Sequence, residues 1–262
     1  MRGLGAALGG SLVDLVLPRT CAGCGVPGPA LCRRCTAALA APREATPRRP
    51  PPGLPPTVAA GAYAGPVRPA VAAFKEHGRA ELAGPLGAAL ALAVGVHAVL
   101  LPGRPVLLVP VPPSRAALRA RGRDCVRELA AVAVADLRAA GVDAGCARLL
   151  TRAGRVRDSA GLSVAQRRAN LAGSFAVRPG TLPAGALLVV VDDVVTSGAT
   201  LTEAADALRA TRLEDDTPVL AAVVAATPRP GSGGRSPGGS RQAPRGAPPR
   251  RLDRLSGPRD SD

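Results

Sequence analysis

The chain of 262 residues has almost no aromatic side chains: no tryptophan, Tyr63 as its one tyrosine, and Phe74 and Phe175 as its two phenylalanines. Proteins that hold single-stranded nucleic acid without sequence preference stack bases on aromatic rings, so this scarcity argues against that mode of binding. Lysine is as rare: Lys75 is the single lysine among 34 basic residues, and all the others are arginines. With 31 glycines and 28 prolines, this is the bias of GC-rich coding, and it weakens the net charge of +15 as a sign of a nucleic-acid partner. Histidine is limited to His77 and His97, far apart in helical patterns, where an isolated imidazole reads as structural and neither is assigned a catalytic role. A secretory leader is also missing from the reading. Residues 1–17 turn apolar after Arg2, but Asp14 interrupts the run and Pro18-Arg19-Thr20 is a poor cleavage site. A packed helix and a cytoplasmic location are the expectations.

What is present suffices for one α/β domain with attachments, since 47% of the residues are apolar. Leu82 to Leu101 is twenty residues without a formal charge, long enough to cross a bilayer. Its apolarity rests mostly on alanine and glycine, with Pro85 and His97 inside, so it reads as a core helix and no membrane span is expected.

The most informative segment is Val189 to Thr200, an apolar run that enters Asp192-Asp193 and then Thr196-Ser197-Gly198-Ala199-Thr200. Ala186 to Val191 has the length and β-branched content of a strand buried on both faces, and Leu201 to Leu213 has helical spacing. At the carboxyl end of such a strand, the backbone N–H groups of Thr196 to Thr200 can converge on an anion, helped by the helix N-terminus that follows. Two carboxylates would repel that anion. Their chemistry is to accept hydrogen bonds from vicinal hydroxyls or to hold a metal, and a ribose 5-phosphate satisfies both ends of the segment. A second buried strand, Val106 to Val111, ends rigidly in Pro110, Pro112 and Pro113, which deliver Ser114, Arg115, Arg119, Arg121 and Arg123 to the same sheet edge. The alternative for these arginines is a solvated basic helix.

Cys21, Cys24, Cys32 and Cys35 have the spacing C-x2-C-x7-C-x2-C, which brings four thiolates to the corners of a tetrahedron around Zn²⁺. Two disulfides are the competing reading, disfavoured by a reducing compartment. Four protein ligands leave no open position, so the expected metal is structural. Cys125 and Cys146 lack partners at metal spacing and read as ordinary small residues, buried or half-buried.

These stretches, together with Leu108 to Pro113, Arg121-Gly122-Arg123-Asp124 and Ser163 to Phe175, occur in the order found in the ComF family, competence-associated phosphoribosyltransferase-like proteins, which the chain resembles over about residues 10–226. The resemblance implies a type I phosphoribosyltransferase-like α/β fold, a mainly parallel sheet flanked by helices, with an N-terminal zinc ribbon. It implies that Asp192 and Asp193 are catalytic and that Thr196 to Thr200 hold the 5-phosphate of phosphoribosyl pyrophosphate (PRPP). By the same resemblance, Pro112, Ser114, Arg115 and Arg121 belong to the pyrophosphate loop, and Arg152 to Asp158 to a catalytic loop that closes over PRPP. Mg²⁺ would accompany PRPP, and the acceptor displacing pyrophosphate is unknown, with a nucleobase one choice. The alternative is a non-catalytic PRPP- or nucleotide-binding or DNA-handling protein in competence and DNA uptake, with single-stranded DNA or competence-machinery proteins as partners. Two loops depart from the family pattern: Arg121-Gly-Arg-Asp-Cys125 stands where members often have Arg-Gly-Phe-Asn-Gln, and Arg157 to Ala160 where they have Thr-x-x-Gln. Both bear on acceptor specificity.

The organisation expected is a helix and zinc ribbon at 1–40, a Pro-rich linker at 41–56, the phosphoribosyltransferase-like domain at 57–227 and a disordered basic tail at 228–262. The linker carries seven prolines from Pro42 onward and reads as a semi-rigid spacer. From Thr227 to Asp262 there are eight arginines and three aspartates with almost no apolar residues, too little to fold.

Overall fold

Six strands carry the fold, and their order follows from which of them are apolar on both faces. A computed structural model describes residues 19–153, 173–178, 182–211 and 217–228. The main sheet runs β1(Arg43–Glu44), β2(Thr57–Ala62), β8(Val219–Ala226), β7(Leu187–Val195), β3(Val106–Pro110) and β4(Ala144–Cys146), and every neighbouring pair is parallel except the antiparallel β1 and β2. Two further strands, β5(Leu150–Arg152) and β6(Phe175–Val177), form an antiparallel pair of their own. The protein is thus α/β with a mostly parallel sheet flanked by helices.

Along β7 the residues alternate between two cores. Leu187, Val189 and Val191 face the core shared with the helices α2(Val67–Glu76), α3(Ala83–Leu100) and α5(Cys125–Ala139), while Leu188 and Val190 face α6(Ala199–Ala210). All five are fully buried. A short helix, α1(Arg33–Ala37), carries the last of the ribbon cysteines, and α4(Arg115–Arg121) follows β3. The charge-free stretch forms a short 3₁₀ turn at Ala80–Leu82 and then α3, which is long and apolar enough to cross a membrane but has half of its apolar window buried in the fold. His97 lies on its inner face, where burial holds its pKa below the ordinary value, and Nε2 meets the Ala221 carbonyl at 2.8 Å.

The segment 41–56 differs from the expected spacer. Arg43 and Glu44 pair with Ala59 and Val58, and the Ala45 amide donates to the Thr57 carbonyl at 2.8 Å. Leu54 packs on the α6 core, and Arg209 of α6 donates to the Gly53 carbonyl at 3.0 Å. Prolines lack the N–H that a ladder needs but not the carbonyl: Pro56 accepts from the Ala221 amide at 2.9 Å. Composition alone suggested a spacer, and burial of a few apolar side chains overrides it. Cys146 is also exposed, whereas Cys125 is buried. The expected helix at 1–17, the loop from Gly154 to Asp158, the segment Ser163 to Ala172 with Arg167, Arg168 and Asn170, the second departing loop at 157–160 and the tail beyond Pro228 lie outside the described residues.

Helices α3 and α5 approach closely because Gly87 has no side chain: a Cβ there would stand 2.5 Å from Val132 Cβ. Gly84, one turn earlier, faces open space. Gly87→Ala is expected to cost about 1–3 kcal/mol by overpacking, even though alanine favours the helix. Gly84→Ala should instead stabilise by about 0.5–1 kcal/mol. Urea denaturation of the two variants checks both signs.

Candidate functional site

At the sheet centre the chain changes direction. From β3 it crosses to β4 at one edge, and later it returns to β7 on the other side of β3, so the loops that leave β3 and β7 diverge and a crevice opens between them. Pro110 pairs with Val191, and the Val111 amide donates to the Val191 carbonyl at 3.0 Å. Asp192 and Asp193 therefore emerge level with Pro112. A cleft of about 500 Å³ occupies this place, lined by Asp192 and Asp193 of β7 with Thr196 and Thr200 beyond it on one side, and by Pro112, Ser114 and Arg121 after β3 on the other. Tyr63, Lys75, Glu76, Arg123, Asp124, Cys125 and Arg152 complete most of its polar wall.

Five of the residues expected at this site are not on its lining, among them Arg119, which is exposed on α4. Ser197 accepts the Ala199 amide at 3.4 Å, and Ala199 is buried in the first turn of α6. Gly198 has φ +80°, a conformation that favours glycine. A Cβ on it would meet Leu54 at 2.8 Å, so its missing side chain makes room for the 41–56 segment and not for a ligand. Arg115 is exposed at the start of α4. The helix begins there because the Ser114 hydroxyl accepts the Ala117 amide at 3.1 Å, and Gly122 ends it in the left-handed conformation.

The two carboxylates have different surroundings. Asp193 points toward the α2 side of the sheet and is 3% exposed, and Lys75 Nζ lies 2.6 Å from its Oδ2. Burial works against the charge of Lys75, but Asp193 outweighs it and holds the ammonium pKa above the ordinary lysine value. Asp192 is half-buried, and its Oδ1 accepts the Asp193 amide at 2.8 Å. Desolvation, followed by the charge of Asp193, raises its pKa to about 8. Lys75 is a site residue that motif reading misses. Its one signal is that it is the only lysine in the chain.

The first departing loop also finds its reason here. Arg123 stacks its guanidinium 4.5 Å above the Phe74 ring and donates to Glu128 at 2.9 Å. A planar cation thus takes the stacking place an aromatic residue could fill. Asp124 caps α5 by accepting the Arg127 amide at 3.1 Å, as asparagine would. Arg152 lies over Phe175 at 4.4 Å and donates to the Pro112 carbonyl at 3.1 Å, which anchors the start of the next loop against the β3 loop. Burial lowers its pKa, and Asp192 opposes that shift.

A second cluster lies in the ribbon. The Sγ atoms of Cys21, Cys24, Cys32 and Cys35 are all within 4.8 Å of one another, and Cys24 and Cys32 are 3.7 Å apart. A tetrahedron with Zn–S bonds of about 2.3 Å has edges of about 3.8 Å, so the four thiols could hold a zinc ion. Burial opposes ionisation of Cys21, yet the amides of Cys32, Cys24 and Gly23 outweigh it and lower its pKa to about 6. For Cys35, burial and then its three cysteine neighbours push the pKa up.

A carboxyl whose folded pKa lies above its unfolded value of about 4 costs stability as pH rises, because the unfolded chain releases its proton first. The contribution of Asp192 to stability should therefore fall as pH goes from about 4 to about 8 and level off above the folded value. Asp192→Asn should flatten that slope and raise the melting temperature at pH 8 relative to pH 5. Thermal melts of the two proteins across the range check the sign.

No protein-family model matches the chain, and a search of curated proteins returns no match.

Proposed function

We propose that the cleft binds PRPP and that the protein is a phosphoribosyltransferase-like enzyme of the ComF type, displacing pyrophosphate from ribose C1. The observation that carries this reading is the meeting of two chain segments over one crevice: Asp192, Asp193, Thr196 and Thr200 on one side, and Pro112, Ser114 and Arg121 on the other. The finer fold assignment, a type I phosphoribosyltransferase-like domain, rests on the same pairing and on the sequence resemblance.

In this reading the 5-phosphate lies against the amides that open α6, where the helix dipole favours an anion. Asp192 and Asp193 hydrogen-bond the ribose hydroxyls, and Asp193 offsets positive charge developing at C1 as the bond to pyrophosphate breaks. Lys75 pairs with Asp193 at its buried position and so gives the carboxylate a counter-charge there. Arg121 and Ser114 receive the diphosphate, for which a guanidinium fork is well shaped. Mg²⁺ would supply neutralisation of the diphosphate charge, and the half-buried Asp192 and the ligand's own oxygens are the groups that suit its preference for few carboxylates. No residue has to form a covalent intermediate. The acceptor enters as the nucleophile at C1, and a nucleobase is the class proposed.

A non-catalytic PRPP- or nucleotide-binding role in DNA uptake is the second reading. It is favoured by the internal pairing of Lys75, Arg121 and Arg123, which leaves these cleft cations engaged without a ligand. We further propose that the four ribbon cysteines hold a structural zinc ion and that the protein acts in the cytoplasm.

Asp192→Asn with Asp193→Asn removes two acceptors for ribose hydroxyls while sparing the backbone cradle. PRPP affinity should fall by about 2–4 kcal/mol, the scale of lost charge-assisted hydrogen bonds. Binding of inorganic phosphate should change far less, and isothermal titration with both ligands separates the two. Equal PRPP binding by wild type and double variant would sink the assignment. Pyrophosphate release across a panel of bases decides between enzyme and sensor.

Metal analysis of purified, reduced protein should find about one zinc per chain, since the four thiolates form a closed site. Chelation should lower the melting temperature. Two disulfides by mass spectrometry, with no zinc, would be the contrary result.

A further inference from the structure

Two neighbouring residues at the end of α2 reach opposite walls of the cleft. Lys75 pairs with Asp193 on the β7 side, and Glu76 pairs with Arg121 on the β3 side. The second pair is a fork: Arg121 Nη2 donates to one Glu76 oxygen at 2.8 Å and Nε to the other at 3.4 Å. That is the geometry in which a guanidinium also holds a phosphate. An anion that needs Arg121 must therefore take it from a carboxylate.

We propose that Glu76 is a specificity-determining residue of the cleft, which discriminates against singly phosphorylated anions and favours diphosphates by competing for Arg121. This rests on the reading of the cleft as a phosphate site. A phosphate monoester carries about −1.5 to −2 charges at neutral pH, and its capture exchanges one fork for another. The displaced Glu76 carboxylate stays close and repels it. A diphosphate spreads its oxygens over two phosphorus centres, so it can meet Arg121 and Ser114, which line the same cleft, at once. Its binding then depends less on the outcome at Arg121 alone. Because the Glu76 side chain is 52% exposed and that of Arg121 23%, the competition is modest, worth about 5-fold at most.

Titration of inorganic phosphate and of inorganic diphosphate into wild type, Glu76→Gln and Glu76→Gln/Arg121→Gln at low salt tests this. Glu76→Gln should bind inorganic phosphate about 5-fold more tightly and diphosphate less than about 2-fold more tightly. The gain should shrink at high salt and vanish in the double variant. Glu76→Asp, which shortens the fork, should show an intermediate gain. Unchanged or weaker phosphate binding by a folded Glu76→Gln protein, an equal gain for both ligands, or a gain that persists without Arg121 overturns the role of Glu76. If the wild type binds PRPP and diphosphate while Glu76→Gln shows no gain, only this inference falls. If the wild type binds neither, the proposed function falls and this inference with it.

Discussion

Strand β7 has no solvent-facing side. Five consecutive apolar residues, Leu187 to Val191, are desolvated by helices on both faces, and the first polar side chains on this strand follow directly, before Val194 and Val195 return to the two cores. Asp192 and Asp193 are those side chains. Their raised electrostatic cost, one met by Lys75 and the other by a shifted pKa, is the direct result of placing two carboxylates within a largely buried strand. Folding alone would be better served by neutral residues at these two positions.

The rest of the cleft follows from the change of direction at the sheet centre. With β3 and β7 adjacent and their crossovers leaving to opposite sides, neither loop can cover the other. α2 then closes one wall, and its last two residues tie the two loops to a common element. The 41–56 segment supports the opposite side: Leu54 fills the space that Gly198 leaves open beside the start of α6. In the proposed function this arrangement sets the charge of the cleft before any ligand arrives, with its cations already paired.

The ribbon is a separate construction. It has little apolar mass of its own, and Cys21, Leu31, Cys35 and Leu39 contribute to the main core beside α2. Gly23 is packed against Cys35 and the Pro66 carbonyl, so that even the turn carrying the cysteines is part of that contact. A zinc ion held there would brace the region next to the α2 wall of the cleft.

Sequence by itself determined two of the buried strands, β3 and β7, the carboxylate pair on the second, the turn that opens α6, the rigid proline exit of β3 and the cysteine cluster. Each of these is local: a run of branched apolar residues, a glycine at positive φ or a ligand spacing states its physical requirement within about a dozen positions. Only the tertiary structure decided the rest. Lys75 lies over a hundred positions before Asp193, and the Glu76–Arg121 fork joins helices whose orientation depends on how α2 packs on the sheet. Arg123 could not be told from a substrate-facing arginine until Phe74 was seen beneath it. The 41–56 segment misled for the same reason: proline content states what a backbone cannot do alone, whereas burial of Ala45 and Leu54 depends on surfaces supplied by distant residues.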